Sequence, residues 1–318
     1  MMKYRQLGNS DLQVAPLTLG GNVFGWTIDE PASFKILDGF ASAGFNLVDT
    51  ADVYSRWKPG NTGGESETII GNWMQQRSNR NKIIIATKVG SDMGSGKKSL
   101  AKKYILQACY ASLKRLQTDY IDLYQTHFDD ADTPVEETLE AYQQLIKEGK
   151  VRWIGASNLS PARLTASLKI SKEKGYPAYQ SFQPLYNLVE REAFETALEA
   201  ICVEHQLGVL NYYSLAAGFL TGKYRSEKDL SKSVRGGGVK KYLDQKGLNI
   251  LAALDKVAAS CNSTPASVAI AWLIARPSVT APIASATSMD QLKSLTDAAL
   301  LTLTKENIDL LNNASEWR

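Results

Sequence analysis

Histidine and cysteine are scarce in this chain of 318 residues, which has two histidines and three cysteines. The cysteines, Cys109, Cys202 and Cys261, are odd in number and widely spaced, and no Cys-x-x-Cys pair occurs. This pattern opposes a disulfide framework and a zinc ribbon. We therefore expect a protein without a metal site, in the reduced environment of the cytoplasm.

Long apolar runs and a strong excess of one charge are also missing. No stretch approaches the roughly 18 apolar residues of a membrane-spanning helix, and residues 1–8 lack the apolar segment typical of a signal peptide. The formal net charge is +3, which gives no indication of binding to nucleic acid or a membrane surface. We expect a small-molecule partner, and the sequence does not predict an oligomeric state.

Two nucleotide-binding motifs are absent as well. No predicted strand leads through Gly-x-Gly-x-x-Gly into a helix, so a Rossmann-type dinucleotide fold is not indicated. Residues 94–99 resemble a phosphate-binding loop, but Ser91 stands where the first glycine is needed and Lys98 where serine or threonine is needed. We interpret residues 94–99 as a flexible loop.

The chain does contain a strong alternation of strand-like and helix-like segments. Strands rich in Ile, Leu and Val are predicted at 17–21, 46–49, 82–88, 121–127, 151–157, 179–184, 207–213 and 279–283. Helices are predicted between them at 31–43, 64–76, 100–116, 134–147, 161–172, 193–205 and 268–275. Such alternation indicates parallel strands joined by right-handed crossovers. Eight units predict a (β/α)₈ TIM barrel, as one domain over residues 1–318, with an open doubly wound sheet as the alternative.

Three segments lie outside the repeat. Residues 3–15 predict an N-terminal hairpin, because turn-forming residues cluster at 8–11. Residues 223–246 predict a long loop with eight basic and three acidic residues, and loops of this length are usually functional or disordered. Residues 303–317 predict an extra C-terminal helix.

Polar residues recur where the predicted strands end. In a barrel these carboxyl ends meet at one rim, where active sites lie. The strand-end residues are Asp49, Lys88, His127, Ser157, Asn158, Gln183, Tyr212 and Ser285. Tyr54 follows Asp49 in the next loop. The sequence therefore predicts a polar site on this rim.

Four of these residues could together protonate an oxygen. A phenol has a pKa near ~10, and an ammonium such as Lys88 beside Tyr54 is expected to lower it. Asp49 would keep Lys88 charged, and His127 could donate a hydrogen bond to a substrate oxygen. Such a proton donor suits carbonyl reduction with hydride from elsewhere.

Each of the four also has an ordinary structural interpretation. Asp49 could cap a turn, Lys88 could extend to solvent, His127 could be a hydrogen-bonded structural residue, and Tyr54 could be a rim aromatic. Their joint position after consecutive strands favours the functional interpretation.

Five blocks of sequence resemble motifs of the aldo-keto reductase superfamily, in the branch with bacterial oxidoreductases and potassium-channel β subunits. Residues 46–54 resemble the Asp-Thr-Ala-x-x-Tyr signature, 84–88 the lysine strand and 123–127 the histidine strand. Residues 149–158 resemble the Gly-Lys-x-Arg-x-Ile-Gly-x-Ser-Asn block, and 220–224 include Thr-Gly-Lys-Tyr. The motifs occur in the family's order over nearly the whole chain.

The resemblance implies a barrel that binds NADPH in extended form at the C-terminal rim. It implies Tyr54 as proton donor, Lys88 and Asp49 as residues that tune it, and His127 as the group that polarises the carbonyl. The implied contacts with the nicotinamide half are Ser157, Asn158 and Gln183 at the carboxamide and Tyr212 (or its neighbour Tyr213) against the ring. The implied contacts with the pyrophosphate are Ser214, Leu215 and Gly218. The implied contacts with the adenosine half are Lys223 and Arg235 at its phosphates and Ser285, Thr287 and Gln291 at its far end.

Some positions depart from the family pattern. Ser55 replaces the usual glycine after the tyrosine, and Ser214 replaces a proline in the stacking block. Ser294 and Leu295 replace the acidic and amide residues of the adenosine block. The catalytic residues therefore match the family better than the adenine contacts do.

The substrate pocket and the function leave alternatives open. Trp26, Trp57 and Phe128 fall on rim loops, where they could form an aromatic pocket for aldehydes and ketones or only pack the loops. We expect NADPH-dependent reduction of carbonyl compounds. A cofactor-binding regulatory subunit with slow turnover and a lyase that uses Lys88 as a Schiff base are the alternatives.

Overall fold

The computed structural model describes residues 2–317. Its strands are β1 (Arg5–Gln6), β2 (Gln13–Val14), β3 (Thr18–Gly20), β4 (Leu47–Asp49), β5 (Ile84–Val89), β6 (Ile121–Thr126), β7 (Val151–Ser157), β8 (Ser181–Gln183), β9 (Gly208–Val209) and β10 (Ile283–Ala284). Its α-helices are α1 (Glu30–Ser42), α2 (Glu65–Arg77), α3 (Lys102–Leu116), α4 (Val135–Lys147), α5 (Pro161–Lys174), α6 (Glu199–Glu204), α7 (Gln245–Ser260), α8 (Pro265–Ala275), α9 (Met289–Ala298) and α10 (Lys305–Ala314).

Strands β3 to β10 form one parallel sheet in the order β10-β3-β4-β5-β6-β7-β8-β9. The two outer strands also meet, because the backbone N–H of Thr280 donates to the carbonyl of Val209 and that of Ile283 to the carbonyl of Asn211, each over 2.9 Å. The sheet thus curls into a barrel surrounded by helices. The predicted (β/α)₈ fold is confirmed.

The amino end of the barrel is closed by the predicted hairpin, which β1 and β2 form by antiparallel pairing. Leu7, Leu12 and Val14 are buried against the inward-facing side chains of the sheet. Gly8 has φ +58, and a Cβ there would lie 2.0 Å from the carbonyl oxygen of Gln180. Only glycine allows this approach, and the functional residues are left at the open carboxyl end.

Several helices begin with a side-chain cap, and three of them also have a proline in the first turn. The caps are Asp29, Ser160, Asp244, Thr264, Ser288 and Thr304, each of which accepts the N–H three residues further on. Such a cap contributes about 1 kcal/mol. Proline lies in the first turn of α1, α5 and α8, where its missing N–H costs nothing.

The elements around the last strands differ from the prediction. Helices α7 and α9 were not predicted, and the segment 223–246 is no simple loop, since it contains 3₁₀ turns at Glu227–Lys232 and Gly236–Tyr242 before α7 begins. A π-helical turn, Phe194–Leu198, precedes α6. Strand β9 is shorter than the predicted 207–213, although Leu210 and Tyr212 still donate to the carbonyls of Phe182 and Pro184. Strand β10 overlaps the predicted 279–283 only at Ile283.

Helix α8 is strongly apolar, whereas α7 also carries Lys246, Asp255 and Lys256. Among residues 2–317 no single helix is long and apolar enough to cross a membrane, whereas this pair reaches the necessary length and composition only jointly, with a bend of 93° between the two helices. Most of α8 is buried against the barrel, which accounts for its apolar composition.

Candidate active site

A cavity of about 1210 Å³ opens at the carboxyl ends of the strands. Nearly every residue predicted for the site lines it. These residues are Trp26, Asp49, Tyr54, Trp57, His127, Phe128, Ser157, Asn158, Gln183, Tyr212, Ser214, Leu215, Gly218, Lys223, Arg235, Ser285, Thr287 and Gln291. Lys88 is the exception, because it is fully buried behind the cavity wall. One rim therefore gathers residues that lie up to about 265 positions apart (291 − 26).

Lys88 forms the centre of a buried polar cluster. Its Nζ lies 2.6 Å from Asp49 Oδ2, donates to the carbonyl of Thr50 over 2.9 Å and donates to the Tyr54 hydroxyl over 2.9 Å. These three acceptors satisfy the three N–H groups of an ammonium. The Tyr54 hydroxyl in turn lies 3.5 Å from Asp49 Oδ2. The cluster therefore holds a charged lysine directly against the phenol.

The second oxygen of Asp49 is held by two amides. Gln125 Nε2 and Gln183 Nε2 donate to Asp49 Oδ1 over 3.2 and 2.9 Å, and Gln183 also donates to Gln125 Oε1. Gln125 was not predicted for the site, although its position beside Lys88 in the β5–β6 register brings it there. The amides fix the carboxylate in one orientation, which in turn fixes Lys88.

The pKa of Tyr54 differs from the expectation. Burial raises the pKa of Tyr54 to about 12, and although Lys88 lowers it, Asp49 raises it further. Burial also acts to lower the pKa of Lys88, but Asp49 and Tyr54 outweigh it and carry this pKa above its ordinary value. Lys88 thus acts on the pKa of Tyr54 in the predicted direction, but the loss of hydration is the larger effect and the net shift is upward.

His127 is a neutral, tightly held imidazole. Its pKa lies well below the usual value because of burial and the nearby charges of Lys88 and Lys98. Its Nδ1 lies 2.9 Å from the hydroxyl oxygen of Ser91, and its ring lies edge-on to Tyr54 with centroids 5.9 Å apart. The cavity thus has a phenol and a neutral imidazole side by side.

The residues predicted at the carboxamide position form a hydrogen-bonded row. The amide nitrogen of Asn158 donates to the carbonyl of His127 over 2.9 Å and to Ser157 Oγ over 3.0 Å, while its oxygen accepts from the Tyr212 hydroxyl over 2.9 Å. Ser157 Oγ donates to the carbonyl of Gln183 over 2.8 Å. Tyr213 also lines the cavity, so both candidates for the stacking role lie at the site.

Six of the eight basic residues of segment 223–246 fall into two groups, and Lys228 and Lys246 belong to neither. Arg225, Lys232, Lys240 and Lys241 pair with acidic side chains at 2.7 to 3.2 Å. Lys223 and Arg235, which line the cavity, make no ion pair with any described residue. The buried Nη2 of Arg235 also lacks a hydrogen-bond partner among residues 2–317. Unpaired cations at a cavity wall are what an anionic ligand requires.

Arg235 contacts an aromatic residue of the cavity wall. Its guanidinium lies 5.1 Å from the centroid of the Trp26 ring, a cation–π distance. Trp26 meets Trp57 edge-on at 5.5 Å, and Trp57 lies 5.9 Å from the ring of Tyr54. Phe128 stacks on His127 at 4.8 Å. The predicted aromatic residues therefore form one wall beside the phenol and the imidazole.

The far end of the cavity is built from the start of α9. Gln291 Oε1 accepts from the backbone N–H of Thr287 over 2.9 Å and from its hydroxyl over 3.0 Å, which leaves the amide nitrogen of Gln291 as a donor. Ser294 and Leu295 line the same end. Leu295 contributes no polar side-chain atom, whereas Asp290, Gln291 and Ser294 contribute polar atoms at this end.

Three site residues were missed in the sequence. Asn22 accepts from the Ser285 hydroxyl, Ser91 contacts His127, and Gln125 holds Asp49. Each acts through a contact with a residue far away in sequence, and although Gln125 lies within the block 123–127, nothing local indicates its contact with Asp49. Within residues 2–317 no cluster of three or more His, Cys, Asp or Glu side chains is placed to hold a metal ion.

Ser55 has an unusual backbone. Its φ is +72, in the left-handed region that glycine favours, and the family pattern has glycine here. The Ser55 hydroxyl donates to the carbonyl of Phe24 over 2.6 Å. This bond joins the loop that carries Tyr54 to the loop that carries Trp26.

Comparison with known proteins agrees with this geometry. The family described as Aldo/keto reductase family matches residues 16–316. The chain is 34% identical to "Uncharacterized oxidoreductase YrpG" of Bacillus subtilis, over 98% of this chain and 95% of that protein. It is 30% identical to "Protein tas" of Escherichia coli, over 96% and 95%. It is 31% identical to "Probable voltage-gated potassium channel subunit beta" of Arabidopsis thaliana, over 92% and 89%.

Proposed function

Since this chain belongs to the aldo/keto reductase family of oxidoreductases, we propose that it reduces aldehydes and ketones to alcohols with NADPH. The observation that carries the proposal is the contact of Lys88 with both Asp49 and Tyr54 at the cavity wall. This contact combines a proton donor with a fixed positive charge beside it. His127 then supplies a neutral hydrogen-bond donor for the same substrate oxygen.

The cavity suits a cofactor of this kind. Its wall includes Tyr54, Asn158 and Gln291 and also Lys223 and Arg235, the two cations that make no ion pair with a described residue. The orphaned Nη2 of Arg235 suits a phosphate oxygen, and we assign it to the adenosine phosphates, including the 2′-phosphate that distinguishes NADPH from NADH. When bound, the cofactor supplies the hydride.

Tyr54 holds the proton that the product alcohol needs. An alkoxide is a much stronger base than a phenolate, so the proton moves downhill even from a phenol with a pKa of about 12. The Lys88 ammonium then faces a phenolate rather than a phenol, and its attraction grows as the charge develops. Asp49 keeps the ammonium charged and in place throughout.

The aromatic wall supports a substrate class. Trp26, Trp57 and Phe128 present flat apolar surfaces around Tyr54 and His127. Such walls suit aromatic or medium-sized apolar aldehydes and ketones. We therefore propose that an aryl aldehyde is a better substrate than a small hydrophilic one.

The proposal is tested by NADPH oxidation with 4-nitrobenzaldehyde as substrate. Tyr54→Phe removes only the hydroxyl, so we expect turnover to fall by about a hundredfold or more while NADPH still binds. Tyr110→Phe is the control, since the hydroxyl of Tyr110 bonds Glu148 on the outer surface and its loss should leave turnover unchanged. Near-native turnover of Tyr54→Phe would remove Tyr54 as the proton donor.

A cofactor-binding regulatory subunit is the second candidate. Similarity to a protein named as a probable channel β subunit supports it. In that role NADPH would bind tightly, but the aldehyde would be reduced only very slowly. The same assay separates the two functions, because sustained turnover of 4-nitrobenzaldehyde favours the reductase.

A Schiff-base role for Lys88 fits poorly with its surroundings. Formation of a Schiff base needs a neutral amine open to the substrate. Lys88 is fully buried, and Asp49 and Tyr54 together raise its pKa. Borohydride should therefore trap no carbonyl compound on Lys88.

We propose further that the chain acts as one barrel unit in the cytoplasm, with a small carbonyl compound as its partner and neither nucleic acid nor a membrane. The small net charge of +3 and the reduced cysteines support this. We propose no oligomeric state.

A further inference from the structure

Ser91 lies beside His127 without an assigned role. It follows β5 by two residues, and its hydroxyl oxygen lies 2.9 Å from His127 Nδ1. Ser91 is 4% exposed and His127 is 8% exposed, so water has little access to this contact. A serine at this position therefore acts directly on one nitrogen of the imidazole.

The rest of the imidazole is held from other sides. The backbone N–H of His127 donates to the carbonyl of Val89 over 2.8 Å, and Asn158 donates to the carbonyl of His127. Phe128 stacks on the ring with centroids 4.8 Å apart. Gly90, at φ +105, turns the chain after β5 and so brings Ser91 back to the ring. The contact with Nδ1 is thus built by the fold.

A neutral imidazole carries one proton, on either Nδ1 or Nε2. If Nδ1 carried it, Nδ1 would donate to Ser91, and the serine hydroxyl would need another acceptor for its own proton. No described residue accepts from Ser91 Oγ apart from Nδ1. If Ser91 donates to Nδ1 instead, both groups are satisfied, and the imidazole proton resides on Nε2. The second arrangement pairs both the Ser91 hydroxyl and Nδ1.

We propose that Ser91 is a positioning residue that keeps the proton of His127 on Nε2. Nε2 bonds no described residue, and His127 lines the cavity, so this proton is available to a ligand there. The neutral histidine then acts as a hydrogen-bond donor toward a carbonyl oxygen, and it cannot act as a base at Nε2. The kinetic consequence rests on the proposed reductase function, whereas the tautomer does not.

The tautomer can be observed directly because the chain has only two histidines, His127 and His205. In the full-length protein with ¹⁵N-labelled histidine, long-range ¹H–¹⁵N spectra distinguish Nδ1–H from Nε2–H. His205→Gln leaves His127 as the single signal, and His205 is exposed at the end of α6, away from the cavity. We expect the Nε2–H pattern for His127 in the wild type, with and without NADP⁺.

Ser91→Ala tests the role of the hydroxyl. We expect a mixed or Nδ1–H pattern for His127 and a fall in the turnover number of roughly tenfold, smaller than the loss of a complete oxyanion donor. The dissociation constant for NADPH should change less than about twofold, since the cofactor residues are untouched. Ser91→Thr keeps a hydroxyl and should retain the Nε2–H pattern. Ser167→Ala is the matched control, because Ser167 is equally buried, at 3% exposed. Its hydroxyl donates to the backbone carbonyl of Arg163 within α5 and does not contact His127.

Two results would overturn the inference. One is an Nδ1–H pattern for His127 in the wild type. The other is Ser91→Ala with the wild-type tautomer, which would mean that the serine does not set it. Both can be read from the spectra even if the protein reduces no aldehyde, so failure of the proposed function would be seen separately in the turnover assay.

Discussion

The cavity has two regions of charged side chains that are built differently. At the end near β4 and β5, Asp49, Tyr54 and Lys88 contact one another at 2.6 to 3.5 Å. At the other end, Lys223 and Arg235 face the cavity without an ion pair to any described residue. At the first end, the positive charge of Lys88 is paired with the negative charge of Asp49 within the protein. The second keeps its positive charges available, which supports the proposed binding of an anionic cofactor there.

This difference has a physical basis. A charge that is buried must be paired within the protein, since desolvation of a lone ion costs several kcal/mol, and Lys88 is fully buried. Arg235 remains partly accessible and is held over the Trp26 ring, so it can exist without a carboxylate. Changes at the first end should therefore affect both chemistry and stability, whereas changes at the second should affect cofactor affinity.

The substitution with the largest expected effect is Lys88→Met, at the catalytic end. It leaves Asp49 buried without its cation, so we expect a loss of about 3–5 kcal/mol in the free energy of unfolding and a fall in turnover of about a hundredfold or more. Both can be measured, by urea unfolding and by NADPH oxidation. The double variant Asp49→Asn, Lys88→Met removes both charges and should regain most of the stability but none of the activity. Recovery of turnover in the double variant would contradict the role of the ammonium.

Arg235→Ala tests the other end. Loss of a charge-assisted hydrogen bond of about 1.5–3 kcal/mol should raise the dissociation constant of NADPH by about tenfold or more. Binding of NADH, which lacks the 2′-phosphate, should weaken less, and the unfolding free energy should change little. Fluorescence titration with both cofactors measures this. Arg225→Ala is the matched control, since Arg225 pairs with Asp255 and does not line the cavity. Equal weakening of NADPH and NADH would exclude a role at the 2′-phosphate.

The pKa of Tyr54 tests whether burial or the charge of Lys88 has the larger effect at the catalytic end. Burial raises the pKa of Tyr54 to about 12 in spite of Lys88, so the phenol should stay protonated in the cofactor-free protein up to about pH 11. Since the protonated phenol is the proton donor, Tyr54 is fully protonated well below this pKa, and the protonated fraction declines only as the pH approaches and exceeds it. NMR of ¹³C-labelled tyrosine, with the Tyr54 signal assigned by Tyr54→Phe, measures the titration. A phenolate that forms near pH 8 or 9 would show that the ammonium outweighs burial.

The smallest expected effect is at Ser55, where the loop of Tyr54 departs from the family pattern. Ser55→Ala loses the hydrogen bond to Phe24 and keeps the positive φ, so it should destabilise the protein by about 1 kcal/mol. Ser55→Gly loses the same bond but relieves the backbone strain of about 1–2 kcal/mol, and should be more stable than the alanine variant. Urea unfolding of the two variants measures the difference. An alanine variant as stable as the glycine variant would mean that the backbone is not strained.

Some features of the molecule were accessible from the sequence and others were not. The periodicity of the strands and the polar residues at their ends predicted the barrel and its rim. Helix α7 was missed although Ile250, Leu254 and Val257 have helical spacing, so its signal was present. Ser91 and Gln125 carry no such signal, because each acts through a partner on a neighbouring strand or loop.

The sequence by itself determined which groups reach the rim. Parallel strands bring their carboxyl ends together, so Asp49, Lys88 and His127 had to converge once the eight strands formed a barrel. Only the tertiary structure decided how these groups behave. The net pKa of Tyr54, the proton donor to His127 Nδ1 and the pairing of the basic residues depend on burial and on distances of a few ångströms between remote segments, and these are set by packing rather than by local sequence.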